Sequence, residues 1–173
     1  MNRRQFLIAG AAVVATTAGG LATARALRPG ADLAALATEL ESLRGHALAT
    51  RAGWLPFKVL SHLAQSIELS LAGYPQMKSA FFRHTAGAAA FSVFAASGAM
   101  RHPLTEAIPG APELAETGNN DAALDRLLAA LRAFAAHDGA LAPHFAYGAL
   151  DKPAYTRAHL MHLANHWAEF TPA

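Results

Sequence analysis

Between Asn120 and Gly139 the apolar residues Leu124, Leu127, Leu128, Leu131 and Phe134 recur three and four positions apart, a spacing that an α-helix gathers onto one face. Asn120 or Asp121 precedes the stripe as a cap, and the helix ends before Gly139. Such a stripe needs a second apolar surface against it, so the chain must supply further elements of the same kind. Leu33, Leu36, Leu40 and Leu43 follow Asp32 and stop at Gly45, predicting a helix over about 32–44. Pro56, tolerated in a first helical turn, opens a stripe of Phe57, Leu60, Ala64, Ile67 and Leu71 that closes at Gly73 and Pro75, predicting a helix over about 55–72.

The remainder divides by its breakers. Residues 76–99 are helical in composition, with Gly87 expected to split them. From Arg101 to Gly118 three prolines and two glycines leave no room for a regular element, which predicts a long surface loop. A second loop, "GALAPHFAYGAL", precedes a last helix from near Asp151 to about Phe170. Hydrophobic residues make up 53% and charged residues 15%, and Ala and Leu dominate over strand formers. The expected fold class is all-α: a bundle of four main helices with an additional helix and long loops.

The first 26 residues form a separate unit. "MNRRQFLIAGAAVVATTAGGLATARA" sets Arg3 and Arg4 before an uncharged, mildly apolar run, and Ala24 and Ala26 give an A-x-A-like cleavage pattern. This resembles a twin-arginine export signal, which implies the twin-arginine translocase as a partner and a periplasmic or cell-envelope location for residues 27–173. The alternative is an uncleaved N-terminal membrane anchor, since about 20 uncharged residues just span a bilayer. Without Arg3, Arg4 and Arg25 the formal charge of +2 falls close to zero, and no basic run or basic patch interleaved with aromatics remains. Nucleic-acid binding is therefore excluded as a reading.

No cysteine is present, so any metal site must rely on histidine and carboxylate. Three of the nine histidines fall in "AHLMHLANHWAEF", residues 158–170. At about 100° per residue, with His159 at zero, His166 lies at about −20°, Tyr155 at about −40° and His162 at about −60°. Leu163 and Phe170 share that arc, whereas Arg157, Met161 and Ala168 face away. Each inward imidazole without a partner costs roughly 1–3 kcal/mol. A shared metal ion satisfies several at once. His162 and His166, four apart, are one ligand pair, and His159 and His162, three apart, are the competing one. Glu169 is placed to accept from a ligand histidine or to act as a further ligand.

A third ligand must come from elsewhere. His62 lies nearly opposite the main stripe of its helix, which by periodicity makes it a semi-exposed histidine. His144, in the loop before the last helix, is a candidate acid/base or added ligand. His84, His102 and His137 read as surface or locally bonded residues.

Taken together, "HLAQSIELSLAGYP", "IPGAP", "HFAYGAL" and "HLMHLANH" resemble domain-of-unknown-function family 1569, a branch of the DinB-like (YfiT-type) superfamily, over about residues 50–170. The resemblance implies a four-helix bundle holding a divalent metal (zinc, nickel or manganese), often through one histidine on the second helix and two on the last. His62 matches the first position, and His162 with His166 match the other two in one register. Many relatives carry His, then a His–His pair three and four positions on, then Gln at the seventh. Counted from His159, this chain has His162, Leu163 and His166. Either the ligand pair slides to His162 and His166, or the site is altered.

Characterised superfamily members imply thiol-dependent S-transferase, isomerase or hydrolase activity on a small molecule. Three readings follow: a cell-envelope metalloenzyme; a non-catalytic bundle that binds metal or ligand, or whose histidines form a core network; and a scaffold with an oligomer interface such as a homodimer. No serine nucleophile elbow, phosphate-cradling glycine loop or dinucleotide fingerprint is present.

Overall fold

The computed structural model describes residues 32–51 and 53–172. The segment read as an export signal lies outside them. In chain order the elements are α1 (Leu33–Glu41), β1 (Leu48–Thr50), α2 (Pro56–Ala72), α3 (Ala80–Phe82), a π-helical turn (Arg83–Gly87), α4 (Ala88–Ser97), α5 (Asn120–Ala136), α6 (Lys152–Trp167) and β2 (Phe170–Pro172). This is an all-α bundle with one small antiparallel ribbon.

Side-chain caps start the helices, at Asn119 for α5 and not at the expected Asn120 or Asp121, which lie inside its first turn. Asp32 accepts from Ala35 N at 2.7 Å, Asn119 from Ala122 N at 2.9 Å and Asp151 from Ala154 N at 2.8 Å, each satisfying a donor that the first turn leaves open. The leucine stripes of α2 and α5 face each other and make the principal helix pair. Leu60, Leu63 and Ile67 interleave there with Leu124, Leu127, Leu131 and Phe134 in one buried cluster. Truncating a fully enclosed ring such as Phe134 costs roughly 3–5 kcal/mol.

Several sequence expectations change. The last helix ends at Trp167, not near Phe170, because Phe170–Pro172 pair antiparallel with Leu48–Thr50, Thr50 opposite Phe170. The first helix stops at Glu41, and a turn through Gly45 at φ 70° carries the chain onward. The segment after Pro75 is not split at Gly87: α3, the π turn and α4 run on without interruption from Ala80 to Ser97. Gly87 closes the π turn directly over the α5–α6 loop, where a Cβ would stand 1.9 Å from the Ala146 carbonyl oxygen. A π turn re-aims a helix by one residue, and here the absent side chain lets the loop in.

Both histidine-bearing helices are buried on more than one side. On α6, Met161 is as enclosed as the histidine face, contrary to its wheel position, because α6 meets α2, α1 and α4. On α2, the run Val59 to Ser66 is buried without interruption, since α5 covers one side while α6 and the proline-rich loop cover the other. Among the described residues no helix is long and apolar enough to cross a membrane.

Candidate metal centre

His62 enters the site from the middle of α2 and is 2% exposed. The semi-exposed position expected from periodicity is therefore corrected by the double-sided burial of α2. His162 and His166 enter from the last turns of α6, His166 fully buried and His162 half-buried. One nitrogen of each of these three rings lies within 4.8 Å of the other two. They are positioned to hold a metal ion.

The details favour an ion over a hydrogen-bond network. His62 Nε2 and His162 Nε2 stand 3.3 Å apart; two ligands at 2.0–2.1 Å from a tetrahedral ion stand about 3.3–3.4 Å apart. His166 Nδ1 donates to Glu169 Oε1 at 2.7 Å. That bond fixes the proton on Nδ1 and leaves the Nε2 lone pair for the interior. Yet Nε2 of His166 is buried with no partner, as is Nδ1 of His62. Hydrogen bonding between His62 and His162 satisfies one pair of atoms and leaves His166 Nε2 orphaned, at a cost of roughly 1–3 kcal/mol. A divalent ion removes that deficit.

Electrostatics point the same way. Burial, reinforced by the neighbouring His166 and His102 rings, pushes the His62 imidazole down to about 3. Burial likewise drives His162 well below its ordinary value. These rings remain neutral at pH 7, the form that ligates metal.

A fourth ring was not anticipated. The sequence reads His102 as a surface or locally bonded residue, and it does bond locally, but the loop after α4 also folds back and sets its centroid 4.9 Å from His162 and 5.1 Å from His166. Its Nδ1 donates to the Pro103 carbonyl at 2.9 Å, while Nε2 is buried without a partner. Gln65 on α2 anchors this loop by donating to the Pro112 carbonyl at 2.9 Å, and Ile108 is buried beneath it. A loop residue has no periodicity to betray it; the only available signal was a histidine beside a proline at the start of a long irregular segment.

His159 and His144 lie away from the three converging rings. His159 Nε2 meets Ser70 Oγ at 3.2 Å. His144 lies in the α5–α6 loop, its ring stacked on Tyr147 at 4.3 Å. Both line a cavity of about 230 Å³ that His62, His102 and His162 line as well. Trp54 closes the far side of His62, edge-on at 5.2 Å.

A family model described as "Protein of unknown function (DUF1569)" covers residues 23–173. Curated proteins and solved structures gave no match.

Proposed function

The chain belongs to the DUF1569 family, and we propose that it is a divalent-metal protein in which His62, His162 and His166 are the ligands and a small molecule enters beside them. The observation that carries this reading is the convergence of three ring nitrogens within 4.8 Å, with Glu169 holding the outer proton of His166 and leaving its Nε2 unpartnered. One ligand on the second helix and two on the last fits a DinB-like bundle. Zinc, nickel and manganese are the ions to test.

A bound divalent ion supplies Lewis-acid chemistry, suited to a hydrolase or a thiol S-transferase. The chain's own residues do the rest. His62 and His162 present neutral nitrogens, and Glu169 orients His166 and keeps its tautomer. Trp54 shields one side from water, and the cavity beyond His162 admits the substrate.

A second reading is favoured by His102, whose Nε2 is buried and unpartnered and whose ring lies beside His162 and His166, outside the three nitrogens that converge within 4.8 Å. With His102 as fourth ligand the coordination sphere closes and the site is structural. Metal analysis of the untagged full chain, purified without chelators, tests both. We expect one divalent ion per chain, absent from His62→Ala and His162→Ala. Unchanged zinc affinity in His102→Ala supports the open, reactive site, and loss of zinc in that variant supports the closed one. A wild-type chain that binds no added zinc, nickel or manganese overturns the reading.

The leader reading joins this proposal: Arg3 with Arg4 and the Ala24/Ala26 pattern support export through the twin-arginine translocase to the periplasm. N-terminal sequencing of the protein recovered from a periplasmic fraction checks it, with Leu27 as the expected first residue.

A further inference from the structure

The cavity that His62 and His162 line is also lined by His144, a hydrogen-bond donor held in one orientation. His144 Nδ1 accepts from two backbone N–H groups, Ala146 at 3.1 Å and Tyr147 at 3.2 Å. A nitrogen that accepts twice carries no proton, so the neutral ring bears its proton on Nε2. That Nε2 has no hydrogen-bond partner among the described residues. Flipping the ring would turn a C–H toward the two amides, so the orientation is locked.

The surroundings reinforce the lock. His144 and Gly148 exchange two backbone hydrogen bonds, at 2.7 and 3.1 Å, across a tight turn that Gly148 makes at φ 80°. Tyr147 stacks on the ring at an interplanar angle of 8°, and Phe145 lies 4.6 Å away. Gly87 leaves room for the neighbouring Ala146 carbonyl, as described above. Burial, followed by His159, pushes the His144 imidazole down to about 3, so it stays a neutral donor across the physiological range.

The cavity between His144 and His162 is lined by Phe82, Met100 and Ile108, and also by Lys78 and Glu106, neither of which forms an ion pair among the described residues. The cavity's volume is about 230 Å³. That suits a metabolite-sized molecule with an apolar body.

We propose that this cavity binds a small organic carbonyl or carboxylate compound whose sp² oxygen accepts from His144 Nε2–H, with the remainder of the molecule directed toward His62 and His162. His144 is then a binding and polarising residue, not a proton acceptor. The inference rests on the metal reading for the far end of the ligand, but the His144 contact needs no metal.

The test therefore uses the metal-stripped, ¹⁵N-labelled full chain, with benzoate and benzamide as probes that share an aromatic body and an sp² oxygen but differ in charge. Long-range proton–nitrogen spectra are expected to show the Nε2–H tautomer of His144 before any addition, and a downfield move of that proton when either probe binds. Tighter binding of benzoate assigns a carboxylate; tighter binding of benzamide assigns a carbonyl. His144→Ala is expected to weaken the probe about tenfold, while His144→Gln, which keeps an N–H donor, retains most of the affinity. An Nδ1–H tautomer in the wild-type chain, or an unmoved His144 proton with both probes at saturating concentration, overturns the proposal. So does failure of both probes to bind. Zinc stoichiometry is measured separately, so failure of either idea leaves the other standing.

Discussion

His159 and His166 stand about two turns apart on nearly the same face of α6, and they meet opposite surroundings. His159 is satisfied by ordinary means. Ser70 commits its own proton to the Ile67 carbonyl at 2.6 Å, so its oxygen is free to accept from His159 Nε2–H at 3.2 Å. Phe134 packs edge-on against the ring at 4.8 Å and Tyr155 stacks at 5.5 Å. At His166 one nitrogen is held by Glu169 and the other is buried among three more imidazoles with nothing to bond. The same residue type at helical spacing thus serves as core in one place and as an unmet ligand in the other. Burial is common to both; the supply of partners separates them.

The largest expected effect that sharpens this contrast is on metal affinity. His166→Ala should lower zinc affinity by at least about a thousandfold, roughly 4 kcal/mol, in competition with a chromophoric chelator. His159→Ala should leave that affinity within a few-fold. Comparable losses in the two variants would erase the distinction.

Next in size is stability. His159→Ala empties a fully enclosed space beside Phe134 and leaves Ser70 without its donor, so urea unfolding of the metal-free chain should show a loss of about 3 kcal/mol. A variant as stable as wild type would mean that His159 is not part of the core.

Glu169→Ala removes the group that orients His166 and should weaken zinc by about 10- to 100-fold. Glu169→Gln, whose amide oxygen still accepts from Nδ1–H, should fall between that variant and wild type. Equal affinity in all three would show that the carboxylate plays no part at the centre.

The smallest effect concerns pH. Burial lowers His159 from 6.5 to about 3 in the folded chain. A depressed folded value means stability that is full above pH 6.5 and declines as pH falls toward 3, by about 1.4 kcal/mol per unit for this ring. Metal-free wild type should therefore lose stability between pH 7 and 5, and His159→Phe should show a slope shallower by about one proton. An unchanged slope would contradict a neutral, buried His159.

Much of the fold was legible because its signals are local. The stripes of α2 and α5 and the caps at Asp32 and Asp151 mark helices through chemistry confined to a few residues, and the cap of α5 falls at Asn119, one residue before the Asn120 that the sequence suggests. The ends were less legible: Phe170–Pro172 leave the helix for a partner strand more than a hundred residues away, which no periodicity reports. The site divides in the same manner. The inward arc of α6 could be read from spacing, but His62 could not, because a wheel assumes one buried face and α2 has several. His102 was illegible for a different reason: only the fold of a proline-rich loop brings it beside His162 and His166.

The central claim is that the three ring nitrogens of His62, His162 and His166 share one ion, and a crystal of the chain grown with zinc and measured at the zinc absorption edge tests it most directly. The account predicts a single anomalous peak about 2.0–2.1 Å from Nε2 of each of the three rings, with Glu169 still bonded to His166 Nδ1 and His159 still on Ser70. A crystal with no peak among those rings, or with its peak at His159, would contradict it.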